Sequence, residues 1–97
     1  MTELASLAFL RAQQGMSEDL GQALLDLVTP SRAEPGCLHY AIHASDDDPH
    51  LWMAYEAWAS DADFDANFRQ PHVQDFIARM SDLVEGDLDL RSFRLRA

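Results

Sequence analysis

Apolar and polar positions change period several times along the chain, and each change marks an element. The run Leu4-Ala-Ser-Leu-Ala-Phe-Leu10 is too short for an ordinary helix and lies before polar Gln13-Gln14-Gly15, so it reads as a buried strand. Leu20, Ala23, Leu24, Leu27 and Val28 then recur at i, i+3, i+4, i+7 and i+8, one apolar stripe on an amphipathic helix. Ser17 is placed to cap that helix, with Glu18 and Asp19 near the positive end of its dipole. Pro30 disrupts the pattern. Glu34-Pro35-Gly36 supplies a turn, Pro fixing φ and Gly free to take a positive one.

From Cys37 to Ala44 the period is two, with Leu38, Tyr40 and Ile42 on one face and His39, Ala41 and His43 on the other. Asp46-Asp47-Asp48-Pro49 is a hairpin loop. Leu51 to Trp58 is a third strand, placing Trp52, Ala54, Glu56 and Trp58 on one face and Leu51, Met53 and Tyr55 on the other. Ser60 or Asp61 caps a short helix with Phe64 and Phe68, and Pro71 suits the first turn of another, in which Val73, Phe76, Ile77 and Met80 keep helical spacing. Gly86 ends that segment, and Leu88 to Leu95 alternates as a closing strand.

The order β, α, β, β, α, β predicts an α+β fold: a four-stranded antiparallel sheet with its helices on one face. Met53 and Tyr55 then sit on the face the helices leave bare. Hiding that face calls for a homodimer, sheet against sheet.

Composition narrows the partners. Ninety-seven residues, 47% of them apolar, make a single domain spanning 1–97. Seven basic residues, all Arg, against seventeen acidic ones leave a net charge of −10. That field repels phosphates, so neither nucleic acid nor an anionic membrane is expected as a partner. Cys37 has no second cysteine with which to form an internal disulfide, and Met1-Thr2-Glu3 lacks the basic start of a signal peptide. A cytoplasmic protein is expected.

Glu34-Pro35-Gly36-Cys37-Leu38-x-Tyr40, then Tyr55-Glu56-x-Trp58, then Pro71-His72 opening the last helix, resemble the antibiotic biosynthesis monooxygenase family, which includes small quinol monooxygenases. The likeness runs from about Leu4 to Leu95. It implies a ferredoxin-like domain paired into a dimeric α+β barrel, and an oxygenase working without a cofactor. Two positions depart from the family's pattern: Asn67 stands where many members carry a second His, and Ala54 where some oxygenases place an Asn. The haem-degrading branch uses an Asn on the first strand and a Trp in the short helix; this chain has no Asn in that strand and Phe64 at the Trp position.

Molecular oxygen is a triplet and reacts slowly with closed-shell molecules, whereas a deprotonated phenol or quinol can pass it one electron. Such a reaction needs a dry pocket, a proton acceptor and donors that hold the developing anion. Trp58, Phe64 and Phe68 offer walls, and Asn67 joins them as a substrate-binding position. His72 is the expected acceptor, Glu56 the group that orients it, and Tyr40 a donor. If Tyr40 lies opposite Glu56, then Leu38 faces Trp58 and all four point toward the helices. Each residue also has a structural use: His72 as a helix cap, Glu56 in a salt bridge to an Arg, Trp58 and the Phe pair as core.

No metal site is expected. His39 and His43 are ~13 Å apart along a strand, and Asp46-Asp47-Asp48 lacks the Gly and distal Glu of a calcium loop. Cys37 reads as a packing residue. Glycine-rich nucleotide motifs and C-x-x-C are missing from the sequence, so no flavin, nucleotide or iron–sulfur cluster is called for. The expected function is oxidation of a small aromatic or quinol-type molecule with oxygen. The alternatives are a non-catalytic dimer that binds a small hydrophobic ligand or haem, and an assembly element with a filled pocket.

Overall fold

The structure, a computed structural model, describes residues 3–97. Its elements are β1 (Leu4–Arg11), α1 (Ser17–Leu25), α2 (Val28–Arg32), β2 (Cys37–Ala44), β3 (Leu51–Trp58), α3 (Asp61–Phe68), α4 (Pro71–Leu83) and β4 (Asp89–Arg94). The strands form one antiparallel sheet in the order β2-β3-β1-β4. This is the α+β, ferredoxin-like arrangement expected from the element order.

Alternation drives the layering. Leu4, Ser6, Ala8 and Leu10 of β1 turn toward the helices and are buried, and they stand opposite Trp58, Glu56, Ala54 and Trp52 of β3. Leu20, Ala23 and Leu24 of α1 and Val73, Phe76 and Leu83 of α4 close over them as one core. Trp58 and Leu20, both 0% exposed, lie at its centre. On the other face Leu7 and Phe9 oppose Tyr55 and Met53, Phe93 is half exposed, and His39 lies against Tyr55 with ring centroids 4.6 Å apart.

Three expectations require correction. The first helix does not run through Val28: it stops at Leu25 and the chain restarts as α2. Pro30 fits α2 because it lies in the first turn, where backbone N–H groups have no intrahelical partner. Ser17 is not the cap. Met16 holds that position, while the Ser17 hydroxyl donates to the Pro49 carbonyl at 2.6 Å and accepts from the Trp52 indole at 3.1 Å. Finally, Tyr40 does pair with Glu56, but a bulge between Cys37 and His39 puts Cys37, not Leu38, opposite Trp58. The extra residue turns Leu38 outward, where it is 54% exposed.

The short helix behaves as read. Ser60 caps α3, its Oγ accepting from the Asp63 backbone N–H at 3.2 Å, and Pro71 occupies the first turn of α4. Arg94 of β4 grips Asp61 with two hydrogen bonds of 2.6 and 3.1 Å, tying the closing strand to α3. Among the described residues no helix is long and apolar enough to cross a membrane.

Candidate functional site

Beneath the helices lies a cavity of about 70 Å³. Its floor is Ala8, Leu10 and Ala54 of the sheet, and α4 roofs it with Val73, Phe76 and Met80. Phe68 borders it, and Ile77, Leu88 and Leu90, each more than a third exposed, stand toward solvent. Three polar side chains complete the wall: Tyr40, Glu56 and Asn67. Tyr40 and Glu56 meet because they are opposite each other in the β2–β3 ladder and both point inward. Asn67 arrives from the last turn of α3.

Behind these groups is a hydrogen-bonded cluster. Glu34, at the turn before β2, takes a hydrogen bond from Asn67 Nδ2 at 2.7 Å and another from His72 Nε2 at 3.0 Å, both on Oε2. Ser31 of α2, 0% exposed, lies 3.3 Å from Asn67 Nδ2 and 3.2 Å from His72 Nε2. The Arg32 guanidinium donates to the Tyr40 carbonyl at 3.0 Å, fastening α2 to β2. His72 also edges a surface cleft between α1 and α4, in company with Asp26, Asp75 and Arg79.

Burial sets the proton affinities. Glu56 is held above the ordinary carboxylate range, first by desolvation; the indole of Trp58, donating to Oε1 at 3.0 Å, opposes this, and the nearby Glu34 charge adds to it. Tyr40 is pushed well above a free phenol, chiefly by burial and then by the Glu56 charge, so its hydroxyl stays protonated. Burial likewise raises the Cys37 thiol, and that residue packs against the core.

The structure therefore brings Tyr40, Glu56, Asn67 and Phe68 to one cavity. Trp58 and Phe64 are core residues off its wall: Trp58 hydrogen-bonds Glu56, and Phe64 meets Phe68 edge-on at 5.0 Å. The expected bond between Glu56 and His72 is not formed; the imidazole's carboxylate is Glu34. Sequence reasoning used Glu34 as part of a turn and of the motif that carries the family resemblance, gave it no role in the site, and passed over Ser31. No periodicity marks a loop acid or a serine beside a proline, and their partner His72 lies 38 and 41 residues further on. Among the described residues, no group of three or more His, Cys, Asp or Glu could hold a metal ion.

Comparison with known proteins places this geometry. The family model described as antibiotic biosynthesis monooxygenase matches residues 4–79. The crystal structure of PA3566 from Pseudomonas aeruginosa is 32% identical, with a TM-score of 0.95 over 100% of this chain and 97% of that one. Protein SO0527 from Shewanella oneidensis is 25% identical, with a TM-score of 0.92 over 97% and 91% of the two chains. The uncharacterized protein sll1783 from Synechocystis is 25% identical over 68 residues, which are 70% of this chain and 46% of that protein. The chain thus spans about half the length of the curated relative it matches.

Proposed function

Because the chain belongs to the antibiotic biosynthesis monooxygenase family, we propose that it oxidises a small aromatic or quinol-type substrate with molecular oxygen in the cavity bordered by Tyr40, Glu56 and Asn67. The observation that carries this reading is a carboxylate of raised proton affinity on the wall of a largely apolar cavity. A carboxylate in water is a weak base toward a phenol. Burial of Glu56 makes it a stronger one, and a proton acceptor is what starts the reaction.

With a hydroquinone, the overall change is hydroquinone plus oxygen to hydroxyquinone plus water. One oxygen atom enters the ring, the other leaves as water, and the four electrons that reduce the oxygen come from the substrate. Glu56 accepts the hydroxyl proton and Tyr40 donates to the oxygen on which charge develops. His72, expected to be the acceptor, acts instead from behind: with Glu34 it fixes Asn67 and Ser31. A cavity of about 70 Å³ is smaller than the roughly 150 Å³ that admits benzene. Ring entry therefore requires Ile77, Leu88 and Leu90 to swing outward. Haem, raised as an alternative ligand, needs far more space, and His72 Nε2 is already committed to Glu34.

The bare sheet face supports the second half of the proposal, a homodimer joined through Leu7, Phe9, Met53, Tyr55 and Phe93. Sedimentation equilibrium should give a dimer that Met53→Arg dissociates; a monomeric wild type would end that idea. Oxygen uptake with a panel of quinols tests the activity, and uptake no faster than the uncatalysed background would refute it.

A further inference from the structure

We propose that the polar end of the cavity selects a neutral, hydroxyl-bearing ring and rejects the carbonyl form of the same ring, an inference that rests on reading this cavity as the substrate site. It follows from the direction of the hydrogen bonds. A carboxylate only accepts. The Asn67 atom 2.7 Å from Glu34 Oε2 is therefore the amide nitrogen, which settles the orientation of that amide. By the same reasoning His72 Nε2, 3.0 Å from that oxygen, carries its proton.

Asn67 Nδ2 directs its second hydrogen to Ser31 Oγ, and the His72 N–H also reaches that oxygen. The Tyr40 phenol brings an O–H donor to the same wall. Glu56 Oε1 takes the Trp58 indole. Among the described residues, no group donates to Glu56 Oε2 or to Asn67 Oδ1. The three cavity-lining polar residues thus offer two acceptors and one donor.

A ligand hydroxyl, with one hydrogen and two lone pairs, donates to one of the acceptors while accepting from Tyr40. A quinone-type carbonyl can accept from Tyr40 but leaves the two acceptors unpaired in a buried site. A carboxylate or sulfonate on the ring adds like-charge repulsion from Glu56 and, behind it, Glu34. The hydroquinone is held, and the simple quinone of the same ring, lacking a hydroxyl hydrogen, is not.

The test is binding without turnover. Under nitrogen, the Trp58 indole N–H resonance of the full chain is followed while hydroquinone, cyclohexane-1,4-dione or 4-hydroxybenzoate is added. Hydroquinone should bind at least ~10-fold more tightly than either of the others, the kind of discrimination that unpaired polar groups impose. In Glu56→Gln the Trp58 indole retains the amide oxygen, so the NH2 group replaces the free acceptor Oε2 with a donor; the gap between hydroquinone and dione should shrink below about threefold. Equal or tighter dione binding, no hydroquinone binding, or an unchanged gap in a folded Glu56→Gln would each overturn the inference. If Glu56→Gln does not fold, the wild-type comparison alone decides. The full preference without any oxygen consumption would instead sink the monooxygenase reading and leave the selectivity standing.

Discussion

Glu34→Ala removes the acceptor on which two buried donors converge. His72 Nε2 and Asn67 Nδ2 lie 3.0 and 2.7 Å from the same carboxylate oxygen, and Asn67 is 3% exposed. A hydrogen bond to a charged group contributes about 1.5–3 kcal/mol. Two such bonds set the scale at roughly 3–6 kcal/mol. The lower end applies, because Ser31 Oγ stays within 3.3 Å of both nitrogens and retains part of each interaction. A loss of about 3 kcal/mol should lower the melting temperature by roughly 12–24 °C in a domain of this size. Urea denaturation followed by tryptophan fluorescence measures it, and a double-mutant cycle with Asn67→Ala isolates the pair. The double variant should be less destabilised than the sum of the singles by roughly 1–3 kcal/mol. Strict additivity, with a Glu34→Ala cost below about 1 kcal/mol, would mean that the cluster around Ser31 is not organised by Glu34.

Two further substitutions probe the same region. Gly36→Ala should cost about 1–3 kcal/mol in a thermal melt, because Gly36 has φ +83° and an added Cβ would collide with the Asp63 carboxylate. Glu56→Gln should change the pH dependence of stability. Folding raises the Glu56 pKa, so its contribution is complete below the carboxylate's ordinary range and is lost as pH rises through the folded-state value. The non-titrating variant should therefore gain on wild type as pH rises from the ordinary carboxylate range through the folded-state value; a difference that stays flat over that rise would count against the raised pKa.

The strands were legible because a period of two survives any tertiary context that buries one face. Alternation put Tyr40 and Glu56, two of the three polar groups on the cavity wall, on inward faces, but their pairing opposite each other was an assumption about register that the structure bears out. The bulge was not legible: one extra residue at Leu38 leaves the pattern of residue types unchanged while reversing the side chain's direction. The break between α1 and α2 was hidden because Leu27 and Val28 continue the apolar stripe across it. Ser17 had the chemistry of a cap, but Trp52 and Pro49 compete for its hydroxyl from across the fold. Glu34 and Ser31 acquire meaning only when α4 delivers His72 to them, a long-range contact that no local pattern encodes.

Single-turnover oxidation of hydroquinone under ¹⁸O-labelled oxygen, with mass spectrometry of both products, tests most directly whether the chamber under the helices performs oxygenation. Wild type should place one labelled atom in the ring and the other in water, and Glu56→Gln should fall at least ~100-fold in rate, as expected when a general base is lost. Unlabelled ring product, or a Glu56→Gln rate equal to wild type, would contradict the account.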